Sequence, residues 1–464
     1  LIQIRQGWSD AEVIEAAMFD DRVKYALGLS RTPEITCDRT TLCKFRARAL
    51  KHDLDRKILA QTLRTAADAG LLGDEEDLVD SYMVHGAAAK QGTFVLIHQA
   101  IAALLRQMQL EKVQAPELRR SDYCSRRKPD IDWADEQARL GLLQDLVADA
   151  RVLVAHCREI PAVSEELKQK VALLETVSEQ DIQVETDGSV TIAQRVAHDR
   201  VISVVDDQMR HGRKTTSAKT DGYKTHVLTQ NVASSEARLV TAVVVTPANT
   251  ADGEVLPDLL KERIELTGSA PKQVMGDSAY GSETVQKAVS VVSADTQVVA
   301  PVPPSSNRKG LFSKADFQID TEAHTVTCPA GHTVSYEPKR RRQNTKSEQV
   351  VKMDEQLCKT CPLREQCVGG KGPRTIRVRR DEKAIQEKRA QQSTPEWKEH
   401  YRERSRVEHV NESMARHGGR QGRYFGTRKT AFQERFCASV HNIVETERVK
   451  SANDSSPDTR GKCA

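Results

Sequence analysis

Ser9 and Glu12 stand at the S-x-x-E spacing of a capping box, and Val13, Ile14, Ala17 and Met18 recur behind them at helical intervals, which predicts a first helix. Asp38 precedes a second helical pattern, with Leu42, Phe45 and Ala49 on one face and Lys44, Arg46 and Arg48 largely on another. Residues 1–70 therefore read as a small helical module, whose basic helix is either a DNA groove reader or an ordinary solvated face. Leu78 to Val84 is an apolar run of strand length broken by a single carboxylate, Asp80. Helical periodicity then dominates an insertion over 95–200. Between 222 and 300 the texture becomes β-rich: strands at 222–228 and 239–246, a helix over 252–265, a strand at 272–277, a helix from Gly281 and a strand at 296–302. This order predicts an α/β fold, a mixed sheet with helices packed against it. A second insertion, 303–395, is rich in Pro, Lys, Arg and Cys. Helices are expected over 396–417 and 430–448, and a polar tail, 449–464, is expected to be disordered.

The 464 residues are 38% hydrophobic and 29% charged, which fits a soluble globular protein, and no stretch approaches the length of a membrane span. The first residues lack a basic segment followed by an apolar core, so no secretory signal is expected; the chain opens on Leu1, and an upstream start is the expectation. Ten cysteines, most of them scattered, suit reduced thiols in the cytoplasm. The formal charge is only +4, but residues 339–380 hold 13 Lys and Arg, including Arg340, Arg341 and Arg342, against four Asp and Glu. Basicity is thus concentrated in one insertion, as on a surface that follows a phosphate backbone; the competing reading is plain solvation.

Within that insertion, Cys328, Cys358, Cys361 and Cys367 form a cluster. A C-x-x-C pair chelates one ion from a tight turn, and two more sulfurs at about 2.3 Å complete a structural zinc site without an open position. His332 is an alternative to one sulfur, and unliganded or redox-active thiols are the alternative to zinc. Asp80 interrupts one predicted strand and Asp277 ends another; a buried carboxylate needs a cation, and hard ions such as Mg²⁺ take carboxylate oxygens. For Asp277 a simple cap on the following turn competes equally. Tyr401, Arg404 and Glu408, at spacings of three and four, share one face of a predicted helix.

Tyr401-x2-Arg404-x3-Glu408 resembles the carboxy-terminal signature of bacterial insertion-sequence transposases of the DDE type. Asp80 in LVDSYMV looks like their first acid and Asp277 in VMGDSAYGSE like the second, and DGYKTHV and VVVTPANTAD resemble the intervening strands and helix start. CKTCPLREQC is similar to the zinc knuckle of one branch, and the segment ending TTLCKFRARAL to its amino-terminal helical domain. The signature continues with Lys seven residues after the Glu, where this chain has Ala415 beside Arg416. The resemblance implies a ribonuclease H-like core, within a catalytic domain over 71–448, in which Asp80, Asp277 and Glu408 hold two Mg²⁺ (or Mn²⁺) ions for cleavage and transfer of DNA strands. It further implies structural Zn²⁺ in the insertion, and contacts from Tyr401, Arg404 and Arg416 to the scissile region or its phosphates. The implied partners are double-stranded DNA, both element ends and target, and a second copy of the chain, with no membrane; the implied setting is the bacterial cytoplasm. The alternative class is an inactive or domesticated DNA-binding protein.

Overall fold

A computed structural model describes all residues except 30–36, 126–127, 196, 214–217, 232–236, 304–309, 338–347 and 455–464; for 348, 453 and 454 it describes the backbone alone. The fold is mixed α/β, and the chain divides into two units, residues 1–271 with 406–464, and residues 272–405.

The first unit is built on an antiparallel sheet that includes β1 (Glu76–His85), β2 (Arg210–Arg213), β3 (Lys219–Gln230) and β4 (Val240–Pro247). β1 runs antiparallel to β3, from Asp77 opposite Gln230 to His85 opposite Gly222, while β2 and β4 pair antiparallel with successive parts of β3. Consecutive residues of β3, from Thr225 to Gln230, are buried, as in a strand covered on both faces. Gly222, at φ +155°, is required where β1 ends: a Cβ there would lie 2.2 Å from the Val84 carbonyl oxygen.

The helices of this unit include α1 (Arg39–Lys51), α2 (Leu54–Asp68), α3 (Thr93–Leu110), α4 (Glu136–Arg158), α5 (Glu165–Glu179), α6 (Asp252–Thr267), α7 (Arg406–Arg416) and α8 (Thr427–Asp454). The capping box at Ser9 and Glu12 is present as expected, opening a helix over Asp10–Phe19. In the helical insertion, Ile97, Ile101, Leu104 and Met108 recur at helical intervals along α3 and meet Leu143, Leu146 and Leu153 of α4 and Leu167 and Leu174 of α5 in one core.

The described residues of 1–70 are largely helical, and they belong to the same unit as residues 71–271. Ala49 and Leu54 pack with Phe432 and Phe436 of α8 in one apolar cluster. Beside it, Arg435 of α8 bonds Glu262 of α6 at 2.7 Å and Asp55 of α2 at 3.0 Å, all three buried. Removing one partner of such a buried pair costs about 3–5 kcal/mol, because the other charge is left uncompensated. The last helix also runs past the expected end at 448, to Asp454; the remainder of the predicted disordered tail lies outside the described residues.

In the second unit, β5 (Gln273–Met275) and β6 (Gln297–Val299) pair in parallel around a helix, Glu283–Val292. The basic insertion follows as a three-stranded antiparallel sheet (Gln318–Asp320, Thr325–Thr327, Thr333–Ser335) and a ladder of Glu348–Lys352 with Thr375–Arg379. Phe317, Ile319, Val326, Val351, Met353, Ile376 and Val378 form its core. The predicted helix over 396–417 is in fact interrupted: Pro395–Arg402, a 3₁₀ turn at Glu403–Ser405, and then α7. A 3₁₀ turn advances at three residues per turn and breaks the helical phase. Tyr401, Arg404 and Glu408 consequently do not lie on one continuous α-helix.

Candidate functional site

Side chains alternate across β1, and its two faces carry different chemistry. On one, Asp77 is fully buried, accepting from Thr241 Oγ1 at 2.8 Å and from Arg263 Nε at 3.4 Å; burial pushes its carboxyl up from the ordinary range. Ser81, on the same face, donates to Asp252 Oδ1 at 3.0 Å, and the Lys224 ammonium lies 3.0 Å from that oxygen. His226 is buried beside them, its pKa pushed down to about 4 by loss of solvent, so the ring is neutral.

Asp80 and Tyr82 occupy the other face. Asp80 is half-buried, and its Oδ2 accepts from Asn411 Nδ2 at 2.8 Å. α7 reaches β1 through a buried stripe of Val407, Val410, Asn411 and Met414. Glu408, exposed, stands three residues before Asn411 and thus about one turn along the helix from the residue that touches Asp80. Tyr82 is buried and donates its hydroxyl to Glu434 of α8. Burial pushes the Glu434 carboxyl up to about 8, so it keeps its proton at neutral pH. Arg416, at the end of α7, is exposed.

In the second unit, Gly276 and Asp277 follow β5. Asp277 is half-buried and caps the turn Ser278–Tyr280, its Oδ1 accepting from the Ala279 amide at 2.8 Å. The Tyr401 hydroxyl reaches the Gly276 carbonyl at 3.4 Å, Arg404 Nε donates to that hydroxyl at 3.2 Å, and Trp397 stacks on the Tyr401 ring at 4.6 Å. Three residues singled out by sequence, Asp277, Tyr401 and Arg404, are brought together here. Trp397 was not singled out, although its spacing of four from Tyr401 would have placed it on the same helical face.

The four clustered cysteines and His332 line one cavity of about 30 Å³. Cys328 opens a tight turn in which its amide donates to the His332 carbonyl at 2.9 Å and Gly331 takes φ +84°. Cys358 and Cys361 lie on and just after a short helix, Glu355–Lys359. Cys367 ends another short helix, its carbonyl held by Arg374 at 3.0 Å. Burial raises the Cys367 thiol, and its three sulfur neighbours raise it further. None of the four is in a disulfide. Four thiols around one cavity are a donor set that suits zinc, and the oxygens of Asp80 and Glu408 are of the kind that suits magnesium. Among the described residues, however, no three His, Cys, Asp or Glu side chains are grouped so as to hold a metal ion.

Arg340, Arg341 and Arg342 lie outside the described residues. On the ladder of Glu348–Lys352 with Thr375–Arg379, Arg377 and Arg379 are exposed in alternation with the buried Ile376 and Val378, whereas Arg374 donates through its other nitrogen to the Phe312 carbonyl at 2.7 Å. In α1, Arg46 is held by Asp10 at 2.8 Å and Gln3 at 2.9 Å, while Lys44, Phe45 and Arg48 are exposed.

A family model described as a transposase DDE domain matches residues 327–446, roughly a quarter of the chain. No curated protein and no solved structure matches. The match supports a transposase-type nuclease at the level of the family. Among the described residues no helix is long and apolar enough to cross a membrane.

Proposed function

We propose that the chain is an insertion-sequence DNA transposase with a ribonuclease H-like core, which cleaves element ends and joins strands by phosphodiester displacement. The observation that carries this reading lies in α7. The helix falls inside the stretch matched by the transposase domain, bears Glu408, and lays Asn411 against Asp80 on β1. The three acids that the resemblance assigns to metal binding are Asp80, Asp277 and Glu408. Two Mg²⁺ or Mn²⁺ ions, when bound, supply activation of the attacking oxygen and stabilisation of the leaving one.

The rest falls to the chain's own groups. Tyr401, stacked on Trp397 and bonded by Arg404 Nε, and Arg404 itself offer a hydroxyl and a guanidinium to phosphate oxygens. Arg416 offers a cation at the end of α7 where the family signature has Lys at 415. The insertion's arginines follow the DNA backbone without reading sequence, on a fold held by zinc at Cys328, Cys358, Cys361 and Cys367. Double-stranded DNA, at element ends and target, is the partner, engaged by a homodimer in the cytoplasm. To test this, the full chain is incubated with Mg²⁺ and duplexes carrying the inverted repeats that flank its reading frame. Nicks at the repeat ends and joined products are expected. Binding without any cleavage would replace this reading with that of a DNA-binding protein.

A further inference from the structure

α7 ends at Arg416, and the 14 residues from there to Lys429 include five Lys and Arg and no Asp or Glu. A run of charge usually needs nothing but solvent. This one is fastened to the fold. The His85 amide of β1 donates to the Arg420 carbonyl at 2.9 Å, and the His85 carbonyl accepts from the Gly422 amide at 2.8 Å. The backbones approach so closely there that a Cβ on Gly422 would stand 2.9 Å from the His85 carbonyl oxygen. Gln433 of α8 donates through Nε2 to the carbonyls of Gly418 at 2.9 Å and Gln421 at 2.8 Å, and accepts from the Arg423 amide at 2.9 Å. The Gly426 amide donates to the Tyr223 hydroxyl at 2.8 Å.

The backbone from 418 to 426 is thus held at short intervals, and its arginine side chains take no part in holding it. Arg416, Arg420 and Arg423 are exposed, and among the described residues none of the three pairs with a carboxylate. Arg428, further along, differs: it is paired with Asp53 and Asp55. Asp10, whose charge Arg423 feels, is already bonded by Arg46 and Gln3, each at 2.8 Å. Beside the arginines, Tyr424 packs edge-on against Phe432, while the Phe425 ring is left 44% exposed. Guanidiniums carried on a backbone that is already ordered lose less freedom when they take an anion. Cations that follow phosphates, with an aromatic ring for a base to stack on, are the means by which a nucleic-acid strand is held.

Resting on the reading of the chain as a DNA transposase, we propose that this loop is a second DNA-contact site, separate in sequence from the basic insertion. Arg420 and Arg423, continuing from Arg416, hold phosphates of one strand, and Phe425 stacks on a base of that strand where it is unpaired.

The test uses the full chain in EDTA, so that binding is read without cleavage, and two fluorescent probes: a blunt DNA duplex, and the same duplex with a single-stranded extension. Anisotropy titrations over a range of salt compare wild type, the double variant Arg420→Gln with Arg423→Gln, and Phe425→Ala, each checked for its fold by circular dichroism. The double variant should bind both probes more weakly, with the slope of log affinity against log salt smaller by about 1.8, at roughly 0.9 per lost phosphate contact. Phe425→Ala should bind the extended probe at least about 5-fold more weakly, as loss of one stacked base implies, and the blunt probe as wild type does. An unchanged slope in the folded double variant would overturn the phosphate contacts, and full affinity of Phe425→Ala for the extended probe would overturn the base contact. Nicking of repeat-end DNA by the wild type with Mg²⁺ is read in parallel. Loop-dependent binding in a chain that nicks nothing would sustain the proposal while removing the transposase reading; nicking with an unchanged slope would overturn the proposal alone.

Discussion

Glu434 shows how much a single side chain depends on where the fold puts it. Its carboxyl is fully buried against the Tyr82 hydroxyl and is raised to about 8, against 4.5 ordinarily. The folded chain therefore keeps a proton that the unfolded chain gives up above about pH 5, and stability falls as pH rises from about 5 to about 8. Glu434→Gln keeps an acceptor for Tyr82 and removes the proton, so thermal melts of the variant should lose this slope and gain roughly 2 kcal/mol or more over wild type at pH 8; equal slopes would contradict the assignment. Nothing local in the sequence separates this carboxyl from the many exposed ones on helices. The same holds on β1. The apolar run drew attention to Asp80, but Asp77, three residues earlier, is the carboxylate sealed in the core. Its partner Arg263 lies 186 positions away, beyond any pattern of spacing.

At the level of elements, the sequence was most legible where the signal is local. The strand around Asp80, the strand–helix alternation from 222 to 300 and the helices between 93 and 179 stand where periodicity puts them, whereas Ile182–Val184 and Val190–Ile192, inside the insertion read as helical, pair as a short antiparallel ladder. The break at Glu403–Ser405 was not legible, because ERS holds neither Gly nor Pro to mark it. The cysteine cluster shows both sides of this. The C-x-x-C spacing is local, whereas the gathering of Cys328 with Cys358, Cys361 and Cys367 depends on two β-ladders sharing one core. If zinc holds that gathering, Cys361→Ser should release the metal and unfold the small sheets around Val326 and Ile376. Elemental analysis of the purified variant should show a loss of about one zinc per chain, and unchanged metal content would count against the site.

Over the whole molecule, what periodicity could not supply was the partition. The sequence suggested a boundary at residue 70, but α2 is bound into the same unit as α8 by Asp55 and Arg435, 380 positions apart, and residues 272–405 form the other unit. The uneven charge was legible from counting alone. If the insertion follows DNA, neutralising Arg340, Arg341 and Arg342 together should weaken binding across sequences and reduce the slope of log affinity against log salt by up to about 3, at roughly 0.9 per lost phosphate contact. An unchanged slope would mean that the run serves solvation only. The central claim is that three acids far apart in sequence serve one reaction. It is tested most directly by measuring binding and Mg²⁺-dependent nicking of repeat-end DNA in parallel for wild type, Asp80→Asn, Asp277→Asn and Glu408→Gln. The account predicts near wild-type binding and no detectable nicking in each variant; nicking that survives in any one of them contradicts it.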